Sequence, residues 1–472
     1  MTEINRNCAR CKQTLPKKKY SRNQWSKGTN NSKCKCCVSD KVTPKEVSSS
    51  RNKLNRFMKR KVGKKKKKQD VASVVSDTEE EGNCSAAACI PLPAVIWSRS
   101  MTYLPASDFL NTLTAMSSNK SMLKEIVPTV TRQTRKILSK DLLPPIQQAA
   151  DISGLSKVLF DLMACEDYSS KLRFDAASIL SVIASENSKS VMDSGALPVF
   201  VSLLSSSDDL CSAAVFGLGN LAADHRAEVL SSGVIQPLLE LLKPGSKSLS
   251  IQRSASWLLS NLCRGAHDQE FCLQSFDTLS LLLSNPDEEI LVESCWALVS
   301  LTNEHIESVV EANFCPRLCE LLNHSSEEVV IPALRAVGNI ATSSEHIQVL
   351  LDNNVLPTLL YLLSHERKLI QTEACWVISS VTSGNQIQSV VDNANILPKL
   401  IQLMSRRAGD LTLCMEATYA IVNIAREGNA TQVNELMRLG SVRPLVQSLD
   451  KDLKAKHTFI ILNGLHYVSI VT

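Results

Sequence analysis

An aromatic residue or arginine followed four places later by asparagine or serine returns along most of this 472-residue chain. The pairs are Phe216 and Asn220, Trp257 and Asn261, Trp296 and Ser300, Arg335 and Asn339, Trp376 and Ser380, and Tyr419 and Asn423, at intervals of 41, 39, 39, 41 and 43 residues. Ser178 and Val182 hold the matching places 38 residues before Phe216. A period near forty with two or three helices per unit indicates armadillo or HEAT repeats, in which no unit buries its faces alone and neighbours must stack.

The unit around Trp257 shows how the faces divide. At about 100° per residue, Ala255, Leu259 and Leu262 fall on one narrow apolar stripe, while Trp257 and Asn261 lie near 200° and 240°, off that stripe. An aromatic ring and a carboxamide one turn apart and away from the core suit a ligand surface; the competing reading makes Trp257 a core residue. A second helix precedes each unit, announced by Ser194-Gly195-Ala196-Leu197-Pro198, Ser232-Gly233-Val234-Ile235, Val355-Leu356-Pro357 and Ile396-Leu397-Pro398. There Gly or Pro ends one helix and starts the next. Aromatic residues are 4% and hydrophobic ones 44% of the chain, a balance that fits interdigitated small and branched side chains.

The ends of the chain differ in character. Cys8-x-x-Cys11 and Cys34-x-x-Cys37 offer four thiolates for a structural zinc in a small module over residues 1–40, the alternative being a cysteine-bearing tail without metal. Residues 41–104 form a basic low-complexity linker that includes the lysine run at 64–68, readable as a localisation signal or as a solvated tail. Residues 1–68 carry 23 Lys and Arg against Glu3, Asp40 and Glu46, a balance of +20, so a net +5 leaves −15 for the remainder. Nucleic acid is thus a partner for the N-terminal region alone, while the acidic body attracts basic chains. The expected architecture is all-α, a right-handed armadillo superhelix over residues 105–472, with the clearest repeats at 142–468.

Several function classes fall away. No run of eighteen apolar residues suggests a membrane span, and the first residues lack the apolar core of a signal peptide. Nine of the sixteen cysteines lie from Cys165 onward, mostly in apolar helical patterns, which suits buried thiols in a reducing compartment. Neither H-E-x-x-H nor G-x-S-x-G occurs, and Gly217-Leu218-Gly219 lacks both a preceding strand and the full phosphate-binding pattern. The chain is not read as an enzyme.

Leu143-Pro144-Pro145-Ile146-Gln147, Gly219-Asn220-Leu221-Ala222, Ser260-Asn261-Leu262-Cys263-Arg264-Gly265 and Pro332-Ala333-Leu334-Arg335-Ala336-Val337-Gly338-Asn339 resemble the importin alpha family, from about residue 128 to 468. Even that family's arginine in place of one middle tryptophan is matched, at Arg335. The resemblance implies a nuclear import adaptor, shared between cytoplasm and nucleus, that binds lysine- and arginine-rich localisation signals in a groove. It assigns Phe216, Asn220, Asp224, Trp257, Asn261, Glu289, Glu293 and Trp296 to an early pocket. Arg335, Asn339, Glu373, Trp376, Glu416, Tyr419 and Asn423 fall to a late one. Asparagine amides suit a peptide backbone, tryptophan faces suit lysine stems, and carboxylates select cations. Glu293, Glu373 and Glu416 stand three residues before a ladder aromatic, and Asp175 three before Ser178.

Departures from the family pattern are also visible. Ser178 and Val182 replace the first Trp and Asn, and two turns, at 186–190 and 225–228, are about three residues short of the family's. The family's N-terminal arm, which binds importin beta, is arginine-rich, whereas residues 51–68 are shorter and lysine-rich; that partner stays open. Opposed charges lead to the expectation that residues 59–68 compete with cargo for the groove. A scaffold brought to chromatin or nucleic acid by the zinc module and linker is the alternative to the adaptor.

Overall fold

The structure is a computed structural model. It describes residues 5–7, 14–16, 127–140, 146–152, 154–265, 269–384, 386–393, 395–405, 411–449 and 455–471. The chain divides into two compact units, Met1–Ile90 and Pro91–Thr472. In the first, β1 (Asn5–Asn7) and β2 (Thr14–Pro16) pair antiparallel, with Asn5 opposite Pro16 and Asn7 opposite Thr14. This strand pair is an addition to the all-helical expectation. Cys8 and Cys11 fall in sequence between the strands, and they lie outside the described residues, as do Cys34, Cys37 and the linker at 41–104.

The described part of the second unit is helical. Its long helices, one per repeat, are α1 (Val127–Lys140), α2 (Ser170–Ile183), α3 (Asp208–Asp224), α4 (Leu249–Leu262), α5 (Glu288–Glu304), α6 (Glu327–Ala341), α7 (Lys368–Thr382), α8 (Leu411–Glu427) and α9 (Ala455–Val471). Each packs against the next along the series. Between most of them lie two short helices, such as Ser188–Asp193 and Ala196–Leu203, or Ile347–Asp352 and Val355–Leu362. This is the stacked arrangement that the forty-residue period requires, an armadillo solenoid.

Local sequence accounts for the helix starts. Ser169 and Asp287 accept hydrogen bonds from the N–H groups of Leu172 and Ile290, and acidic pairs open α3, α5 and α6. Those carboxylates complement the positive end of the helix dipole. The turn between paired short helices needs a left-handed residue, supplied by Gly195 and Gly233 early and by Asn313 (φ 60°) and Asn354 (φ 55°) later. Where no such residue occurs, the two short helices merge into the single helix Gln269–Leu283.

One apolar core runs through the unit. Ala255, Leu259 and Leu262, the stripe expected on α4, are all buried, and each fully buried leucine is worth about 1.5–3 kcal/mol.

Candidate functional site: a ladder along the long helices

The ladder residues project from successive long helices, and some touch from one helix to the next, Phe216 with Trp257 and Arg335 with Trp376. The Phe216 and Trp257 rings lie 5.7 Å apart between centroids, tilted by 30°. Trp257 also lies on the backbone of Gly219 in α3, where an added Cβ would come within 2.1 Å of its Cζ3. Trp376 meets Gly338 of α6 in the same way, at 2.0 Å. The Gly-Asn dipeptides at 219–220 and 338–339 thus have two jobs: glycine admits the next repeat's indole, and asparagine serves its own rung. Trp257, Trp296, Trp376 and Tyr419 are half-buried, neither core nor free surface.

The asparagines are tied into the fold. Asn220 Nδ2 donates to the Ser181 carbonyl at 2.7 Å and Asn261 Nδ2 to that of Gly219 at 3.0 Å. Asn339 Nδ2 donates to the Val299 carbonyl at 3.1 Å and to Thr302 Oγ1 at 3.0 Å, and Asn423 Nδ2 to the Ser379 carbonyl at 2.9 Å. This corrects the sequence reading of Asn261 as a surface carboxamide: it is buried, and one of its two N–H donors brackets two repeats. Asn220 and Asn261 each use one N–H in this way and keep a second, whereas Asn339 meets two acceptors. At the serine rungs, Ser300 and Ser380 donate to the carbonyls of Trp296 and Trp376 at 3.1 Å, within their own helices.

The carboxylates are in unequal situations. Asp175, expected at the groove border, is 1% exposed and paired with Arg135 and Arg132 of α1, which corrects its reading as an accessible acid. Asp224 accepts a hydrogen bond from Ser188 Oγ at 2.9 Å. Arg253 holds Asp287 through Nε at 3.0 Å and Nη2 at 2.5 Å, and Glu289 through Nη1 at 2.8 Å. Burial pushes the Asp287 carboxyl up, but the Arg253 guanidinium and the N–H groups of Ile290 and Glu289 outweigh it and hold the group below its usual range. Glu293 accepts from Ser260 Oγ at 3.0 Å.

Glu373 is bonded twice by Arg335, through Nε at 2.7 Å and through Nη2, and the guanidinium carbon of Arg335 lies 5.7 Å from the Trp376 ring centroid. Arg335 therefore spends its charge on its own chain. Burial, reinforced by the nearby Glu373, raises the Glu416 carboxyl above its usual range, and burial with the Glu416 charge raises the Tyr419 phenol. Sequence reasoning missed Arg135, Arg253, Ser188 and Ser260. Arg135 was findable, because it stands about one repeat before Asp175, as Arg335 stands before Glu373.

The short turns expected at 186–190 and 225–228 run directly into short helices. Asn187 caps Ser188–Asp193 through the Ser190 N–H, and Arg226 donates to the carbonyls of Leu262 at 3.3 Å and Gly265 at 2.7 Å. Among the described residues no group of three or more His, Cys, Asp or Glu side chains could hold a metal ion, and no helix is long and apolar enough to cross a membrane.

This geometry of stacked helical repeats with a ladder on the long helices defines an armadillo-repeat protein. The Armadillo/beta-catenin-like repeat family matches residues 222–264, 302–342, 343–383 and 385–426. Over part of this array the chain is similar to importin alpha subunits. It is 45% identical over 224 residues to importin subunit alpha-1b of Oryza sativa subsp. japonica, covering 45% of this chain and 41% of that protein. It is 44% identical over 208 residues to importin subunit alpha-2 of Arabidopsis thaliana, covering 42% and 38%. The match thus spans about two fifths of those curated relatives. An engineered protein of known crystal structure superposes with a TM-score of 0.67 at 23% identity, over 80% of this chain and 99% of its own, a likeness of fold.

Proposed function

We propose that the array is a nuclear import adaptor that binds lysine- and arginine-rich localisation signals of other proteins along the long helices, moving between cytoplasm and nucleus. The observation that carries this reading is the run of half-buried aromatics, bracketed asparagines and carboxylates repeated from Phe216 to Asn423. Asparagine oxygens and spare N–H groups suit the peptide backbone, and ring faces suit lysine stems at about 0.5–2 kcal/mol each. The resemblance to importin alpha subunits supports the adaptor role, with importin beta a family partner whose binding arm is altered here. No observation favours the chromatin scaffold.

The test is isothermal titration of the full chain with a lysine-rich signal peptide and with the same peptide carrying glutamine for lysine. Saturable binding of the first alone, weakened at least tenfold (about 1.4 kcal/mol) by Trp257→Ala combined with Trp376→Ala, supports the adaptor. Equal affinity for both peptides refutes it.

We also propose that Cys8, Cys11, Cys34 and Cys37 hold one structural zinc, on the strength of their spacing and of the strands that flank the first pair in sequence. Elemental analysis of the purified full chain should return about one zinc, lost in Cys8→Ser with Cys11→Ser. Metal-free protein with the same N-terminal protease resistance contradicts the assignment.

A further inference from the structure

The short helices carry a groove of their own. Between Val355–Leu362 and Ile396–Ser405, the second short helices of adjacent repeats, lies an open cleft of about 720 Å³. Pro357, Leu360 and Tyr361 line one side, and Asn395, Lys399 and Gln402 stand on the other. No acidic side chain and no ladder residue lines it.

The register of the repeats shows what is unusual here. Val355 and Leu359 match Ile396 and Leu400, Val234 and Leu238, Ala196 and Phe200, and Phe314 and Leu318, all of them buried. Two places beyond the second member of each pair stand Tyr361, Gln402, Glu240, Ser202 and Glu320. The other repeats keep this outward position polar, whereas the Val355–Leu362 helix puts there an aromatic ring that is 68% exposed. A single exposed ring needs no explanation, but this one borders a groove whose opposite wall departs as well.

That second departure is in the charges. In the helix Cys315–Leu321, Arg317 donates to Glu320 at 2.8 Å, and Lys399 and Gln402 hold the same two places. The amide at 402 takes away the acid and leaves the lysine alone. Lys399 is half-buried, and its side chain makes no hydrogen bond or ion pair among the described residues. The matching groove between Ala196–Leu203 and Ile235–Leu241 is lined by Glu240 and Lys247, and both are spent within the chain. Lys243 bonds Glu240 at 2.5 Å, and Lys247 bonds Asp208 at 3.0 Å.

We infer that the groove between Val355–Leu362 and Ile396–Ser405 is a docking site for an extended segment of a second protein, one that carries an aromatic or aliphatic residue close to Asp or Glu. The apolar residue packs on Tyr361, Leu360 and Pro357, and the carboxylate pairs with Lys399. An incoming carboxylate meets a half-buried ammonium with no rival acid to displace. The amides of Asn395 and Gln402 offer donors and acceptors to the segment's main chain. This charge preference is opposite to that of the ladder acids, so the two surfaces select different partners. The site is independent of the adaptor reading, because no ladder residue takes part in it.

The test is a phage-displayed library of random short peptides panned on the full chain, the strongest binders then being labelled and titrated by fluorescence anisotropy. The expected result is a class of binders with Asp or Glu near an aromatic or aliphatic residue. Tyr361→Ser and Lys399→Glu should each weaken them at least about tenfold, while Lys399→Arg and Trp257→Ala leave them unchanged. Serine is what the Ala196–Leu203 helix carries at this place, as Ser202, so Tyr361→Ser should keep the urea midpoint of the unaltered chain. The absence of such a class, or binders indifferent to Tyr361→Ser and Lys399→Glu, overturns the inference. So does a dimer of the unaltered chain, seen by sedimentation and abolished by Tyr361→Ser, since a second copy then covers the groove.

Discussion

The Asn261 amide holds a position that its sequence spacing only half describes. That it sits one turn beyond Trp257, off the apolar stripe, was legible from the helical period. That it donates to the Gly219 carbonyl in the preceding repeat was not, because the partner is a backbone oxygen 42 residues away that no side-chain pattern marks. Asn261→Ala leaves that buried carbonyl without its donor and should cost about 1–3 kcal/mol in urea unfolding, apart from any effect on ligands. A peptide-binding loss in that variant has to be read against its stability. Gly338→Ala is a sharper probe of the rung: with a Cβ 2.0 Å from Trp376 Cζ3, the indole must move. The expected result is a destabilisation of about 1–3 kcal/mol with a shifted tryptophan emission maximum, because over-packing is paid in displaced rotamers.

At the scale of elements, the long helices followed from the forty-residue period and the breaks before the second helices from Gly and Pro. Two things did not. The merged helix Gln269–Leu283 stands where most other repeats have two short helices, because nothing in that stretch supplies the left-handed turn that Gly195 or Asn354 supplies elsewhere. The sealing of Asp175 was hidden because α1 lies upstream of the visible ladder. Asp175→Ala leaves Arg135 and Arg132 without their buried partner and should destabilise the array by about 3–5 kcal/mol, measured as a lowered urea midpoint. The Arg253 clamp on Asp287 makes a pH prediction. The folded-state carboxyl is held below its unfolded value, so its contribution is complete above the ordinary carboxylate range and is lost as pH falls through the depressed value. Asp287→Asn should flatten that part of the acid-unfolding curve relative to the unaltered chain.

Over the whole molecule, the acidic array and the basic N-terminal region were legible from charge counts, and the armadillo class from the period. The division of labour among the acids was not, since composition cannot tell a sealed carboxylate from an unpartnered one. The array thiols follow the expected burial: burial pushes Cys211 and Cys315 up to about 11, Cys295 and Cys319 to about 12, and Cys263 and Cys375 further in the same direction. Iodoacetamide at mildly alkaline pH should therefore modify the half-exposed Cys165 first among the described cysteines and spare these six until the array unfolds, as read by peptide mass.

The central claim is that the ladder face of the long helices is where a basic peptide lies. A lysine-rich peptide carrying one photoreactive residue, cross-linked to the full chain and mapped by mass spectrometry, tests it most directly. Adducts on α4 to α8, at or beside Trp257, Trp296, Trp376 and Tyr419, and absent with the glutamine-substituted peptide, are the predicted result. Adducts confined to short helices such as Val355–Leu362, or formed equally by both peptides, would contradict it.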